Sequence, residues 1–411
     1  NHLRESGGRC GYVIDAFILE ALRSPRTKAK ESGGLHELTP SDLLAQLYEA
    51  LVLRTQVDPA SLSEVILGCV TQQGEQAANI AKTSALRAGW PASVAGMTIN
   101  RFCSSSIDAI ALAAMKVNCG QTSALVAGGV EMMSRVPLLA DGARVFADHD
   151  FGVNHQMLLM GAGADLIASR GEMARADLDA VAFGSHQRAL RAQKEDRFTS
   201  IVPIATPNGL VCIDECVRPS LTPDRLATMP AVFGDLGKAG SDQVQLAKFS
   251  DLSEISHLHT AANSPAMCDG AAVLMIGSGE FAEAERVKPI ARIVDTVTCC
   301  GEPLEVVSGC VEATKAILER NQLVPSDVDV FEIHEAFAAT IVKLQRELEI
   351  DDARLNVNGG CIALGHPMGA TGAIMAGTAL DELKRISGRL AVVAASGAGG
   401  TGSALLLERC N

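Results

Sequence analysis

Ser123-Ala-Leu-Val-Ala-Gly-Gly129 is a short apolar run closed by two glycines, and Arg389-Leu-Ala-Val-Val-Ala-Ala395 repeats its character near the other end of the chain. Runs of this length, bounded by turn residues, read as buried strands. Outward from the first run, residues 107–117 place Ile107, Ile110, Ala111, Ala114 and Met115 on one side of a helix, and residues 94–100 and 65–70 read as two more strands. Residues 41–53 carry Leu43, Leu44, Leu47, Leu51 and Val52 at helical spacing, and residues 12–21 read as a first strand. Around the second run the order returns: strand 288–295, helix 311–320, strand 327–333, helix 372–383, strand 389–395. Corresponding elements lie about 265 residues apart, Val65 answering Val330 and Ala127 answering Ala394. Such a duplication predicts two similar α/β layers facing each other, with a site at their junction. Residues 137–258 differ in character: a helical stretch over 173–192, a Pro-, Thr- and Asp-rich stretch over 203–230, and a polar, strand-poor stretch over 235–259. They read as an excursion from the first half, a lid or a ligand-binding subdomain.

The length of 411 residues, with 47% hydrophobic and 20% charged residues, excludes global disorder and asks for more than one packed unit. The net charge of −13 argues against a nucleic-acid backbone as partner, while leaving room for a small anionic ligand on a local basic patch. No stretch has the 18 to 20 uninterrupted apolar residues of a membrane span, and the polar start lacks the apolar core of a secretory signal. The 12 scattered cysteines read as reduced intracellular thiols rather than a disulfide scaffold.

Four segments carry candidate chemistry. Asn100-Arg-Phe-Cys103-Ser-Ser-Ser106 puts a cysteine between an apolar strand and a helix, with serines available as caps. Amides at a helix start favour a thiolate, so Cys103 is expected to have a lowered pKa and to act as a nucleophile; the alternative is a buried structural thiol. His334-Glu-Ala-Phe-Ala338 follows a strand, at the end where open α/β sheets place their sites, and lacks the second His of a zinc helix. In Asn356-Val-Asn-Gly-Gly-Cys-Ile-Ala-Leu-Gly-His-Pro-Met-Gly-Ala-Thr-Gly372, a proline and flanking glycines hold His366 in a defined place. Ser396-Gly-Ala-Gly-Gly-Thr-Gly402 satisfies GxGxxG formally, but too little chain follows for a dinucleotide fold. It reads as a turn between strands 390–395 and 403–407. Cys212 with Cys216, and Cys299 with Cys300, complete no four-ligand metal set, so no metal is expected.

Together these segments resemble the thiolase family over nearly the whole chain from residue 12. Ala127-Gly-Gly-Val-Glu-Met-Met-Ser-Arg135, Thr260-Ala-Ala-Asn-Ser264 and Asp269-Gly-Ala-Ala272 add to the likeness. The resemblance implies an α/β thiolase fold: two similar five-stranded βαβαβαββ halves layered α/β/α/β/α, with an inserted loop domain. The N-terminal half would span 11–136 and be completed by 259–287, the loop domain 137–258, and the C-terminal half 288–411. It implies transfer of acyl groups between coenzyme A and an acetyl carbanion equivalent. No cofactor would be permanently bound, and acyl-CoA and CoA would be substrates. The expected assembly is a homodimer or homotetramer, or a hetero-complex with a β-oxidation partner. The expected location is the cytoplasm in a bacterium or an organellar matrix in a eukaryote. By the same resemblance Cys103 is the nucleophile, His366 its base, and His334 a partner of the substrate thioester oxygen, a degradative feature. The amides of Cys103 and Ala398 form an oxyanion hole, Met160 and Phe337 line the acyl pocket, and Arg218, Arg225 and Ser264 contact CoA.

Three departures stand out. Ser396 occupies the position of the family's second catalytic cysteine, the group that moves the α-proton of acetyl-CoA. An alkanol gives up its proton far less readily than a thiol, so thiolysis and condensation are expected to be weak unless another group, Cys361 among them, takes the proton. The segment Leu226-Ala-Thr-Met-Pro-Ala-Val-Phe233 lacks a basic residue for the CoA phosphates; Arg218, Arg225, Lys238 or Lys248 are the candidates to compensate. Residues 238–259 look inserted, as a surface loop, a channel cover or an interface. Two other readings follow: a low-activity subunit that binds acyl-CoA, or a hydrolytic or condensing enzyme that needs only Cys103 and His366.

Overall fold

The computed structural model describes residues 14–410. The N-terminal half is built from β1 (Ala16–Arg23), α1 (Pro40–Thr55), β2 (Glu64–Gly68), α2 (Ile80–Arg87), β3 (Ala95–Ile99), α3 (Ser105–Asn118), β4 (Ala124–Met132) and, after the excursion, β5 (Cys268–Ser278). The C-terminal half repeats it with β6 (Ala291–Cys300), α6 (Gly309–Arg320), β7 (Val330–Ile333), α7 (Ala338–Leu348), α8 (Thr371–Ile386), β8 (Leu390–Ser396) and β9 (Thr401–Arg409). The excursion contributes α4 (Met160–Arg170) and α5 (Arg175–Lys194), so the single helical stretch expected over 173–192 is one of a pair. The first strand begins at Ala16; residues 12 and 13 lie outside the described residues.

The duplication is visible in register. Parallel strands β2 and β4 pair Val65 with Val126, and β7 and β8 pair Val330 with Ala391. This frame gives Ala127 the counterpart Val392, two residues before Ala394; a shift of two keeps every side chain on its face, so periodicity alone could not detect it. In both halves the next strand runs antiparallel, β5 against β4 and β9 against β8. The halves differ at one edge: β3 is a full strand beside β2, whereas its C-terminal counterpart shrinks to a bridge between Phe331 and Leu355. Pairing of β1 with β6 through Phe17–Arg292 and Ile18–Ala291 joins the two half-sheets.

Five layers result. The outer helices α1 and α2 cover one face of the N-terminal sheet; Leu43, Leu44, Leu47 and Leu51 of α1 are fully buried there, each contributing about 1.5–3 kcal/mol. Thr39 caps α1 by accepting from the Asp42 amide, and Pro40 opens it. On the far side α6 and α7 cover the C-terminal sheet. The middle layer is α3 and α8, whose Ala-rich faces (Ala109, Ala113, Ala373, Ala376 among them) let both sheets approach. The segment expected as an insertion folds as a short helical run ending in Asp242–Lys248, and it is packed, not free: buried Gln245 donates to Ala162 O and Leu304 O. None of the described helices is long and apolar enough to cross a membrane.

Candidate active site

The loop that carries Cys103 is fastened at both ends. Asn100 accepts from the Phe102 amide (2.7 Å) and donates to Val70 O (3.1 Å), and Phe102 is held at φ +48°, a strained conformation for a bulky residue. The three serines after Cys103 do not cap α3 as the sequence pattern suggested. Ser104 donates to Ala395 O (2.8 Å), Ser105 accepts from the Arg101 amide (2.8 Å), and Ser106 accepts from the Ala373 amide of α8 (2.9 Å). Two of them therefore bind the N-terminal half to the C-terminal half beside Cys103. Gly397 closes the contact: a Cβ there would lie 2.9 Å from Arg101 O, so only glycine lets the two loops meet. This brings Ala398 alongside the Cys103 loop.

His366 arrives from the C-terminal half. Gly365 at φ +105° turns the chain, and the His366 amide donates to Ala266 O. Its Nε2 lies 3.0 Å from Cys103 Sγ, and its Nδ1 lies 2.7 Å from Thr371 Oγ1. The Thr371 hydroxyl gives its one proton to Pro367 O (3.1 Å), so toward the imidazole it accepts. Nδ1 therefore carries the proton, and Nε2 offers its lone pair to the Cys103 thiol. Burial, neighbouring His334 and Arg26 hold the His366 pKa well below its usual value, and burial with the nearby Glu131 charge pushes the Cys103 thiol up to about 12. The expected lowering by the helix start is overturned, because desolvation outweighs the amides. Both shifts favour a neutral thiol beside a neutral imidazole.

His334 sits at the end of β7, its ring 4.3 Å from that of His366. It is buried, with a pKa lowered to about 4 chiefly by desolvation, which the Ser396 backbone opposes, and neither ring nitrogen makes a well-formed hydrogen bond among the described residues. An unpaired buried polar group of this kind is poised for a ligand or a water. Ser396 is differently placed: its buried hydroxyl donates to Val307 O (2.8 Å) and accepts from the Cys310 amide (2.8 Å). The thiol of Cys361 faces the histidines, and one nitrogen each of His334 and His366 and Cys361 Sγ lie within 4.8 Å of one another. Two imidazole nitrogens and a thiol at this spacing have the composition of a metal-ligand set.

Apolar walls surround the loop. Phe337 packs edge-to-face on Phe233 (5.7 Å) and His259 (5.4 Å), with Met160 in the same cluster. Arg218 and Arg225 are exposed on the excursion, whereas Lys238 pairs with Asp235 and Lys248 with Glu302. The Ser264 hydroxyl donates to Thr260 O. An open cleft of about 880 Å³ between α1 and α2, lined by Asp42, Arg87 and Trp90, contains none of these residues.

Sequence reasoning missed two supporting groups. Thr371 orients the His366 ring, and its signal was a hydroxyl five residues after His366 at a helix start. Buried Glu131 accepts from the amides of Val70, Thr71 and Gly369 and from Gln76, linking the N-terminal half to the loop after His366. A lone carboxylate inside the apolar run of β4 had to have such partners.

Known proteins resemble this chain over most of its length. The model described as thiolase, N-terminal domain, matches residues 16–280, and that described as thiolase, C-terminal domain, matches residues 287–409. A 3-oxoadipyl-CoA/3-oxo-5,6-dehydrosuberyl-CoA thiolase of Escherichia coli is 37% identical, over 96% of this chain and 99% of its own. A steroid 3-ketoacyl-CoA thiolase of Mycobacterium tuberculosis is 32% identical, over 98% of this chain and 96% of its own. The crystal structure of the Bacillus anthracis acetyl-CoA acetyltransferase superposes with a TM-score of 0.82 at 32% identity, covering 97% of this chain and 100% of that one.

Proposed function

The chain belongs to the thiolase family and its chemistry is CoA-dependent acyl transfer, with CoA a substrate; from that premise we propose that it cleaves 3-ketoacyl-CoA with free CoA, giving acetyl-CoA and a shortened acyl-CoA through an acyl-Cys103 intermediate. The observation that carries this reading is the 3.0 Å approach of Cys103 Sγ to an imidazole nitrogen whose lone pair is directed by Thr371. His366 takes the thiol proton as the sulfur attacks the keto carbon, so a thiol that would otherwise ionise only near pH 12 becomes a nucleophile at neutral pH. The amides of Cys103 and Ala398 receive the developing oxyanion, and His334, whose ring nitrogens make no well-formed hydrogen bond among the described residues, holds the thioester oxygen directly or through water. Phe337 and Met160 bound the acyl chain, and Arg218, Arg225 and Ser264 are assigned to CoA. Ser396 weakens the relay, because its hydroxyl is already committed to Val307 and Cys310.

Mass spectrometry of the protein incubated with acetoacetyl-CoA and a longer 3-ketoacyl-CoA, with and without CoA, tests the reading. Acyl-Cys103 that turns over when CoA is present supports it, and Cys103→Ala is expected to lose the adduct while remaining folded. Absence of any adduct on the unaltered protein would leave an acyl-CoA-binding role instead.

A further inference from the structure

Breaking or making the carbon–carbon bond next to a thioester moves a proton on or off the α-carbon. Cys103 is then bonded to the acyl group, and His366 holds the proton taken from it. If His366 keeps that proton for the returning Cys103 sulfur, a third group handles the α-proton. Ser396 is poorly suited, since both its donor and an acceptor position are spent on the Val307 carbonyl and the Cys310 amide, and an alkanol is a weak acid. Cys361 differs on the first count, and although burial pushes its thiol up too, a thiol starts from a lower value than an alkanol. It is a free, buried thiol, and its Sγ and one ring nitrogen each of His334 and His366 lie within 4.8 Å of one another.

We propose that Cys361 is a further catalytic residue, the second sulfur of the relay, which protonates the departing acetyl-CoA enolate and removes that proton in the reverse condensation. This rests on the acyl-Cys103 reading above. Cys103 sulfur bonds to the keto carbon and its proton passes to His366. The tetrahedral oxyanion re-forms its carbonyl, and the electron pair of the breaking Cα–Cβ bond becomes the enolate. The Cys361 S–H bond breaks as the new α-C–H bond forms, leaving Cys361 thiolate beside His366 imidazolium. The incoming CoA thiol gives its proton to Cys361 and attacks acyl-Cys103, and the Cys103 thiolate leaves and recovers its proton from His366. Every group returns to its starting state.

The surroundings suit this cycle. Burial keeps Cys361 protonated at rest, which is the donor form; Arg26 favours its thiolate, while Glu335, Glu332 and Cys103 oppose it. The imidazolium formed on His366 in the first step places a cation beside Cys361 when its thiolate must appear.

Deuterium exchange into the α-methyl group of acetyl-CoA in D₂O, followed by mass spectrometry, isolates the proposed step. Cys361→Ala, and Cys361→Ser as a shape-preserving second variant, are each expected to slow exchange and acetoacetyl-CoA cleavage by about 10²–10⁴-fold. Acetylation of Cys103 by acetyl-CoA moves no α-proton and is expected to be detectable in both. A folded Cys361 variant that acetylates Cys103 and exchanges within about threefold of the wild-type rate overturns the assignment. Wild-type protein that acetylates Cys103 yet exchanges no deuterium overturns it too. If wild-type Cys103 never becomes acetylated, it is the underlying acyl-transfer reading that fails.

Discussion

Thr371→Val removes one hydroxyl and little volume from the helix start that supports His366. The wild-type hydroxyl accepts Nδ1–H at 2.7 Å and donates to Pro367 O at 3.1 Å, and it is almost fully buried. Without it the imidazole has two options. It can keep the proton on Nδ1 with no acceptor, a loss of about 1–3 kcal/mol for a buried group. Or it can move the proton to Nε2, where it points at Cys103 and cannot accept the thiol proton. Both routes reduce base catalysis, and 1–3 kcal/mol corresponds to about 5- to 150-fold. The rate of Cys103 alkylation by iodoacetamide, mapped to the Cys103 peptide, is expected to fall by that factor together with acetoacetyl-CoA cleavage. Thr371→Ser, which keeps the hydroxyl, is expected to recover most of both. Denaturant melts separate the accompanying loss at Pro367 O from the catalytic effect. A folded Thr371→Val protein that alkylates at Cys103 and turns over within about twofold of wild type would refute the tautomer argument.

Because His334 is buried with a pKa lowered to about 4, the folded protein binds fewer protons than the unfolded chain below the ordinary histidine value of 6.5, so this site's contribution to stability is intact above about pH 6.5 and is lost as pH falls toward 4. His334→Asn is expected to flatten that part of the stability–pH curve in denaturant titrations, by on the order of 3 kcal/mol between the two ends. Asp214 lies between Arg23 (2.8 Å) and Arg26 (3.4 Å), its pKa lowered to about 2 although burial opposes the two guanidinium charges. Asp214→Asn strands buried cations and is expected to destabilise by about 3–5 kcal/mol in urea unfolding, and the wild-type ion pair weakens only as pH falls from about 4 through 2. Ser396→Ala leaves the Cys310 amide without its hydroxyl partner, while Val307 O keeps the Thr340 hydroxyl (3.3 Å), and is expected to lower stability by about 1–3 kcal/mol in the same measurement.

The architecture was legible because strands buried on both faces, such as 124–129 and 390–395, keep their apolar signature, and because the duplicate elements recur at a nearly constant offset. Strand Cys268–Ser278 was harder to see: its polar start and two glycines interrupt an otherwise apolar run, although every residue in it is buried. Helix Ala338–Leu348 was masked by the His334–Ala338 motif that leads into it. Cys103 and His366 were evident from local context, but the duties of Ser104, Ser106 and Glu131 were not, since their partners Ala395, Ala373 and Gly369 lie more than two hundred residues away in sequence. The direction of the Cys103 shift was misread for a related reason. Desolvation is a property of everything packed around a thiol, and a helix start is the only part of that environment a linear chain displays.

The sulfur and the imidazole belong to different halves of the duplicated fold, and the stitches at Ser104, Ser106 and Glu131 set the gap between them. The S–N separation is thus a gauge of how the halves are docked, and a slip of an ångström would take it beyond hydrogen-bond reach while both sheets stayed intact. On slow heating, catalytic competence should therefore vanish some degrees before circular dichroism registers any melting.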